Sequence, residues 1–64
     1  MTVNGSPREL AEGATLAELL AELGVARAGI AIAVNERVVR GASFDEHHLH
    51  DGDAIEIIRA VAGG

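Results

Sequence analysis

The chain offers few groups that could do chemistry, and the most unusual of them is the carboxylate at its end. The last two residues are Gly63 and Gly64. Glycine has no Cβ, so such an end is narrow and conformationally free, and its only reactive group is the carboxylate of Gly64. Small residues at a chain end are often mobile and without function. The remaining residues must therefore distinguish an idle end from a working one.

The histidines His47, His48 and His50 are the second candidate, and they are followed by the segment Asp51-Gly52-Asp53. Their spacing matches no established zinc site. A calcium loop would need further oxygen ligands and a closing glutamate. We therefore interpret the histidines as part of a polar loop and the aspartates as a turn. Titration of the imidazoles could make this surface sensitive to pH.

Cysteine and lysine are both absent from the sequence. The chain therefore has no thiol nucleophile, no thiolate metal site and no amine for Schiff-base chemistry. Glu18 and Glu22 are one helical turn apart, but they belong to the polar side of a predicted helix, where acid–base catalysis is not expected. These observations predict a carrier, subunit or binding module rather than an enzyme, with no metal or cofactor bound by the chain itself.

The composition also restricts the partners and the location. Ten acidic residues against five arginines give a net charge of −5, which repels nucleic-acid phosphates and favours a protein partner with a basic docking surface. The longest apolar run, residues 30–34, is far too short to span a bilayer, and the first residues lack the features of a signal peptide. We therefore predict a soluble, cytoplasmic protein that binds neither nucleic acid nor membrane.

One amphipathic helix is strongly predicted in the first half of the chain. Thr15 and Glu18 have the spacing of a capping box at its start, and Gly24 stands where a left-handed stop is expected. Its apolar stripe consists of leucines at helical spacing, namely Leu16, Leu19, Leu20 and Leu23. Ala17, Ala21 and the glutamates are expected on the outer face, and the leucine stripe is expected to belong to the core.

Short strands are predicted on both sides of this helix. Asn4-Gly5 predicts a tight turn between strands at residues 1–3 and about 7–10, and Asn35-Glu36 predicts another between residues 30–34 and 37–40. Residues 41–50 are expected to form a connection with one helical or 3₁₀ turn, anchored in the core by Phe44 and Leu49. Residues 54–61 complete the pattern as the last strand.

A single amphipathic helix can bury its stripe only against another element, here a small sheet. The order of elements predicts an α+β fold, the ubiquitin-like β-grasp, in which one helix packs on one face of a mixed sheet. We expect a single domain over residues 1–64 with a flexible tail at 60–64. If Ile55 and Ile57 face the core, Ile58 lies on the open sheet face, where it could form a docking patch or be exposed incidentally.

A working role for the Gly64 carboxylate requires activation, because a carboxylate is a poor electrophile. The simplest activation is adenylation by a partner enzyme that uses ATP. Such an enzyme must admit the chain end to its active site, which favours Gly63-Gly64 because a side chain would collide with a narrow channel. The acyl adenylate could then accept sulfur, giving a terminal thiocarboxylate, or it could acylate an amine or thiol of a partner.

The ordered motifs of the whole chain resemble the ThiS family, the sulfur carriers of thiamin biosynthesis. The matching segments are Val3-Asn4-Gly5, Thr15–Leu20 with Leu23-Gly24, Ile32–Asn35, Asp51–Asp53, and Ile55–Ile57 running to Ala60–Gly64. The resemblance implies a β-grasp carrier whose Gly64 is adenylated by an enzyme related to ubiquitin-activating enzymes. It also implies thiazole synthase as the sulfur acceptor and a sulfur donor such as a cysteine desulfurase. We expect Gly63, Ala62 and Ile58 to contact these partners.

Two alternatives remain open at this stage. The small subunit of molybdopterin synthase and carriers that feed secondary metabolites share this fold and tail, so the final sulfur acceptor is not fixed. A plain β-grasp interaction module that docks through the Ile58 face would leave the Gly63-Gly64 end incidental.

Overall fold

Five strands and one α-helix form the regular structure of residues 1–59, the part of the chain that this computed structural model describes. The strands are β1 (Thr2–Val3), β2 (Ser6–Pro7), β3 (Ile30–Val34), β4 (Arg37–Val39) and β5 (Ala54–Arg59). The helix, α1, spans Leu16–Leu23, and a 3₁₀ turn spans Gly41–Ser43. The strands make one sheet in the order β2-β1-β5-β3-β4, with β1 and β5 parallel and the other neighbours antiparallel.

Both predicted two-residue turns form, and both have left-handed backbone. Asn4 and Gly5 have φ values of 51° and 82°, while Asn35 and Glu36 have φ values of 51° and 70°. Positive φ at both central residues matches the turn to the twist of the flanking strands. Asparagine and glycine adopt this conformation at little cost, which explains why each turn has an asparagine at its first position.

The prediction of a strand over residues 7–10 is wrong. The pairing with β1 ends at Arg8, whose N–H donates to Met1 O at 2.9 Å. Pro7 lies opposite Thr2, between the hydrogen-bonded pairs, so its missing N–H leaves no gap in the ladder. The chain then leaves the sheet, and Leu10 packs against the core from outside it.

The predicted bounds of three other strands also need correction. β1 begins at Thr2 rather than Met1. β4 ends at Val39 rather than Arg40, because Arg40 is already the residue that precedes the 3₁₀ turn. β5 is described from Ala54 to Arg59, and the last two residues of the predicted strand, 60 and 61, lie outside the described part of the chain.

Helix α1 begins and ends at its predicted capping residues. Thr15 Oγ1 accepts a hydrogen bond from Glu18 N at 3.2 Å, and Glu18 Oε1 accepts one from Thr15 N at 3.0 Å. Gly24, at a φ of 69°, ends the helix, and Val25 N donates to Leu20 O at 2.9 Å. These bonds satisfy groups that helix ends otherwise leave unpaired.

The core lies between α1 and one face of the sheet. Phe44 and Leu49 are both 1% exposed, which confirms them as anchors of the long connection. Ala17 is partly buried rather than outward, because the connection covers the start of the helix and Ala17 N donates to Phe44 O at 3.1 Å. The buried cluster consists of Val3, Leu16, Leu19, Leu20, Ile32, Val34, Phe44, Leu49 and Ile55.

Candidate functional site

Strand β5 carries one of the predicted site residues and leads towards the other three. Ile58 is on β5, opposite Ala31 of β3, and 52% of it is exposed. Ala62, Gly63 and Gly64 lie outside the described residues. β5 is described as far as Arg59, so residue 60 follows directly on this strand in the sequence.

Ile58 belongs to the sheet face that α1 leaves uncovered. The register pairs Ala31 with Ile58 and Ala33 with both Glu56 and Val38. Directly opposed residues share a face of the sheet. We call the surface of Ala31, Ala33, Val38, Glu56 and Ile58 the open face. It is mostly apolar, with Val38 76% exposed and Glu56 as its single charged member.

The predicted orientation of β5 is therefore confirmed. Ile55 is 1% exposed and Ile57 is partly buried against the core, while Ile58 points to the open face. Successive side chains of a strand alternate between its two faces, so the burial of Ile55 and Ile57 on one face places Ile58 on the other.

Two asparagines hold β5 from opposite sides. On the β1 side, Asn4 N donates to Ile55 O at 2.8 Å, and Asn4 Oδ1 accepts from Ile57 N at 2.9 Å. On the β3 side, Asn35 N donates to Ala54 O at 2.8 Å, and Asn35 Oδ1 accepts from Ala54 N at 3.0 Å. Each asparagine uses backbone and side chain together, so each turn is attached to the strand by two bonds.

The predictions made from the sequence do not include the hydrogen bonds between these asparagine side chains and β5. The Asn-Gly pair is a strong hairpin signal, but its usual reading concerns the backbone of the turn alone. The sequence does contain a signal for these bonds: both turns begin with asparagine, whose side-chain oxygen can replace a missing backbone acceptor.

Asp53 completes the attachment at the start of β5. Asp53 Oδ1 accepts from Asn35 Nδ2 at 3.0 Å, and Asp53 Oδ2 accepts from His50 N at 2.8 Å. Partial burial tends to raise the pKa of Asp53, but the hydrogen bonds from the His50 backbone and the Asn35 amide outweigh it, with a smaller contribution from the His50 and His47 charges. The pKa of Asp53 is consequently lowered from its ordinary value.

The three histidines lie in a loop that is tied to the start of α1. His48 Nδ1 is 2.7 Å from Gly13 O, and Leu16 N donates to His47 O at 3.0 Å. His50 Nδ1 is 3.8 Å from a carboxylate oxygen of Glu12. Across residues 1–59, no group of three or more potential ligand side chains is arranged to hold a metal ion. The contacts support the interpretation as a polar loop.

An open groove of about 660 Å³ lies in the described surface, beside α1 and the segment before it. Its lining combines small apolar side chains with carboxylates, and its residues are Glu9, Leu10, Ala11, Ala14, Glu18, Ala21 and Glu22. No helix within the described part is long and apolar enough to cross a membrane.

The fold, the open face and the Gly-Gly end can now be compared with known proteins. A sequence model described as the ThiS family matches residues 1–64. The chain belongs to the ThiS family. The match includes Gly63-Gly64, so the end of the sequence falls within the family pattern.

Individual relatives agree with this assignment. The sulfur carrier protein ThiS of Thermus thermophilus is 42% identical over 62 residues, which are 97% of this chain and 95% of that protein. The crystal structure of the thiamine biosynthesis protein ThiS from Geobacter metallireducens superposes with a TM-score of 0.84 at 38% identity, over 98% of this chain and 96% of that one.

A third relative is a much longer protein. The thiazole synthase of Paramagnetospirillum magneticum is 33% identical over 64 residues, which are 100% of this chain but 20% of that protein. A segment similar to this whole domain is therefore part of the same polypeptide as a thiazole synthase.

Family membership and these relatives confirm several predictions made from the sequence. The ubiquitin-like β-grasp fold is confirmed by the likeness to the Geobacter structure. The predicted class is confirmed as well: a sulfur carrier of thiamin biosynthesis rather than a catalyst. Of the open alternatives, the comparisons favour the thiamin carrier over a molybdopterin subunit or a plain interaction module.

Proposed function

We propose that this chain carries sulfur as a thiocarboxylate on Gly64 and delivers it to a thiazole synthase. The observation that carries the proposal is the match of the ThiS family to the whole chain, through Gly64. The absence of cysteine supports the same assignment, because the sequence provides no thiol on which sulfur could be carried.

The proposed chemistry takes place at a single carbonyl carbon. In the partner enzyme the Gly64 carboxylate attacks the α-phosphate of ATP, pyrophosphate leaves, and a mixed anhydride with AMP is formed. Sulfur at the oxidation level of sulfide then displaces AMP and leaves a terminal thiocarboxylate. A cysteine desulfurase persulfide can supply this sulfur when a thiol reductant cleaves its S–S bond. ATP binds to the partner, and the carrier itself requires no cofactor.

Gly63 and Ala62 have a supporting role in this scheme. An active site that encloses a chain end excludes water from the reactive acyl adenylate, and a narrow entrance serves that purpose best. Hydrogen or methyl side chains at the last three positions fit such an entrance. We propose that these residues contact the adenylating enzyme along the channel.

The open face is the proposed docking surface for the adenylating enzyme, which is related to ubiquitin-activating enzymes. Ile58 and Val38 are the large apolar side chains most exposed in the described part of the domain. β5 contributes Ile58 to this face, and Gly64 follows six residues later in the sequence, so a partner that holds Gly64 also lies close to the face. Burying apolar side chains would supply the binding free energy.

Thiazole synthase is the proposed sulfur acceptor. The support comes from the long relative in which a segment similar to this domain and a thiazole synthase form one polypeptide. Covalent linkage raises the effective concentration of one part at the other, which is useful only if the two interact. We further propose that the carrier works in the cytoplasm, where ATP and reduced thiols are available.

Mass spectrometry tests the assignment of Gly64. After incubation with the adenylating enzyme, ATP, a cysteine desulfurase with cysteine, and a thiol reductant, the intact chain should gain the mass difference between one sulfur and one oxygen. Two variants serve as controls: deletion of Gly64 and addition of one alanine after it. Both keep residues 1–59 unchanged, and both should fail to gain sulfur. Sulfur gain by either variant would contradict the proposal.

A further inference from the structure

The two sides of β5 are covered to different extents. On one side β3 pairs with β5 as far as Arg59, which lies opposite Ile30. On the other side β1 pairs with β5 only at Ala54 and Ile55, because β1 ends at Val3 and enters the tight turn. Beyond Ile55, the β1 side of β5 therefore has no neighbouring strand in the described part of the chain.

The side chain of Asn4 fills the first position beyond the end of β1. Its Oδ1 atom accepts the hydrogen bond from Ile57 N at 2.9 Å, where a strand would offer a backbone carbonyl. Asn4 N meanwhile donates to Ile55 O at 2.8 Å. Asn4, with a φ of 51°, begins the turn into β2 and still bonds β5 through its backbone N–H and its side-chain oxygen.

We propose that Asn4 is a positioning residue for the Gly64 carboxylate, acting through its hydrogen bond to the backbone of Ile57. This inference rests on the proposed function of Gly64. Ile57 directly precedes Ile58 of the open face. The bond to Asn4 thus holds β5 in the sheet directly before Ile58, and so before the start of the tail at residue 60.

The distance from Ile57 to the chain end gives this bond its importance. Seven residue steps separate Ile57 from Gly64, so the carboxylate is at most about 25 Å away along an extended chain. A tilt of about 10° at Ile57 already moves Arg59, two residue steps further on, by about 1 Å, which is the tolerance that reacting atoms allow. For a partner bound to the open face, the place at which the tail begins therefore depends on the direction of β5 at Ile57.

Asn35 provides a matched comparison within the same domain. It has the same φ of 51°, begins the other tight turn, and accepts a hydrogen bond from a β5 amide, that of Ala54. Ala54 is the first residue of β5 and is far from the tail. Asn35 Nδ2 also donates to Asp53, so a purely structural role predicts that Asn35→Gly lowers kcat at least as much as Asn4→Gly, whereas a positioning role predicts a loss at Asn4 alone.

The test compares Asn4→Gly with Asn4→Asp and Asn35→Gly. Glycine keeps the left-handed backbone but removes the side-chain acceptor, and aspartate keeps an acceptor oxygen in a turn that accepts Asp-Gly. The full-length chain is the substrate of the adenylating enzyme, and its concentration is varied. Exchange of labelled pyrophosphate into ATP reports formation of the acyl adenylate. This assay yields kcat and KM separately.

Asn4→Gly should lower kcat about two- to fivefold, equivalent to about 0.5–1 kcal/mol for the lost hydrogen bond. Its KM should stay within about twofold of the wild-type value, since the docking surface is unchanged. Asn4→Asp should restore kcat, and Asn35→Gly should leave kcat unchanged while lowering the resistance to urea. Amide exchange followed by NMR should accelerate at Ile57 in Asn4→Gly and remain slow at Glu56, whose N–H faces β3.

The failures are distinguishable from one another. An unchanged kcat for Asn4→Gly, or equal losses of kcat for Asn4→Gly and Asn35→Gly, would overturn the positioning role alone. Absence of pyrophosphate exchange with the wild-type chain would overturn the proposed function and the inference that depends on it.

Discussion

Replacing Ile58 by aspartate should weaken productive binding of the carrier to its adenylating enzyme without unfolding the carrier. Ile58 is 52% exposed in the free domain. Complete burial of an isoleucine side chain contributes about 1.5–3 kcal/mol, so covering the exposed half contributes about 0.8–1.6 kcal/mol. Ile58→Ala should therefore raise KM at most about four- to fifteenfold.

Aspartate at this position adds a second effect. A carboxylate that enters an apolar interface loses hydration without gaining a partner, which costs about 1–3 kcal/mol or more. With the lost apolar contact, Ile58→Asp should raise KM by about 20-fold or more. The Gly64 carboxylate is unchanged, so turnover at saturating carrier should remain close to that of the wild-type chain.

The assay is pyrophosphate exchange at varied carrier concentration, with circular dichroism to verify folding. Ala21→Asp is the matched control, because Ala21 is exposed on α1, on the opposite side of the domain from the open face. It adds the same charge and should leave KM within about twofold of the wild-type value, since surface substitutions away from an interface have small effects. If Ile58→Asp and Ala21→Asp had equal KM values, the open face would not be the docking surface.

Two further predictions concern the elements that support this site. Thr15→Ala should lower the free energy of unfolding by about 0.5–2 kcal/mol, because it removes the oxygen that accepts from Glu18 N. Thr15→Ser keeps this oxygen and should retain most of that free energy. Equal urea midpoints for Thr15→Ala and the wild-type chain would contradict the prediction. Asp53→Asn should destabilise the domain at neutral pH. Because the native state holds the pKa of Asp53 below its ordinary value, the charged carboxylate stabilises the fold above that ordinary value, and the benefit is lost as the pH falls through the lowered pKa. The wild-type and Asp53→Asn urea midpoints should consequently converge in strong acid, and a difference that is constant with pH would refute the charge-based explanation.

Local sequence patterns predicted the helix and the tight turns because a single interaction type decides each of them. The capping box and Gly24 mark the ends of α1 through bonds to neighbouring residues, and Asn4-Gly5 and Asn35-Glu36 form turns through their own backbone preference. The orientation of Ile55 and Ile58 follows equally directly from the alternation of a strand.

Features that depend on distant parts of the chain were harder to predict. The short second strand results from the place of Pro7 in the ladder and from the packing of Leu10 on the core, neither of which a local pattern contains. The bond between Asn4 and Ile57 joins residues 53 positions apart, so only the completed sheet brings them together. The tail residues Gly63 and Gly64 are recognisable from composition, but their role depends on partner proteins.

The position of β5 within the sheet has a mechanical consequence. β5 is the central strand, with β1 parallel on one side and β3 antiparallel on the other. Hydrogen bonds between strands run roughly across the strand direction. Tension applied along β5 from its end would therefore load the bonds on both sides in shear, all at once, instead of unzipping them one by one from an edge. A domain built in this way should resist a pull along β5 better than one whose last strand lies at the edge of its sheet.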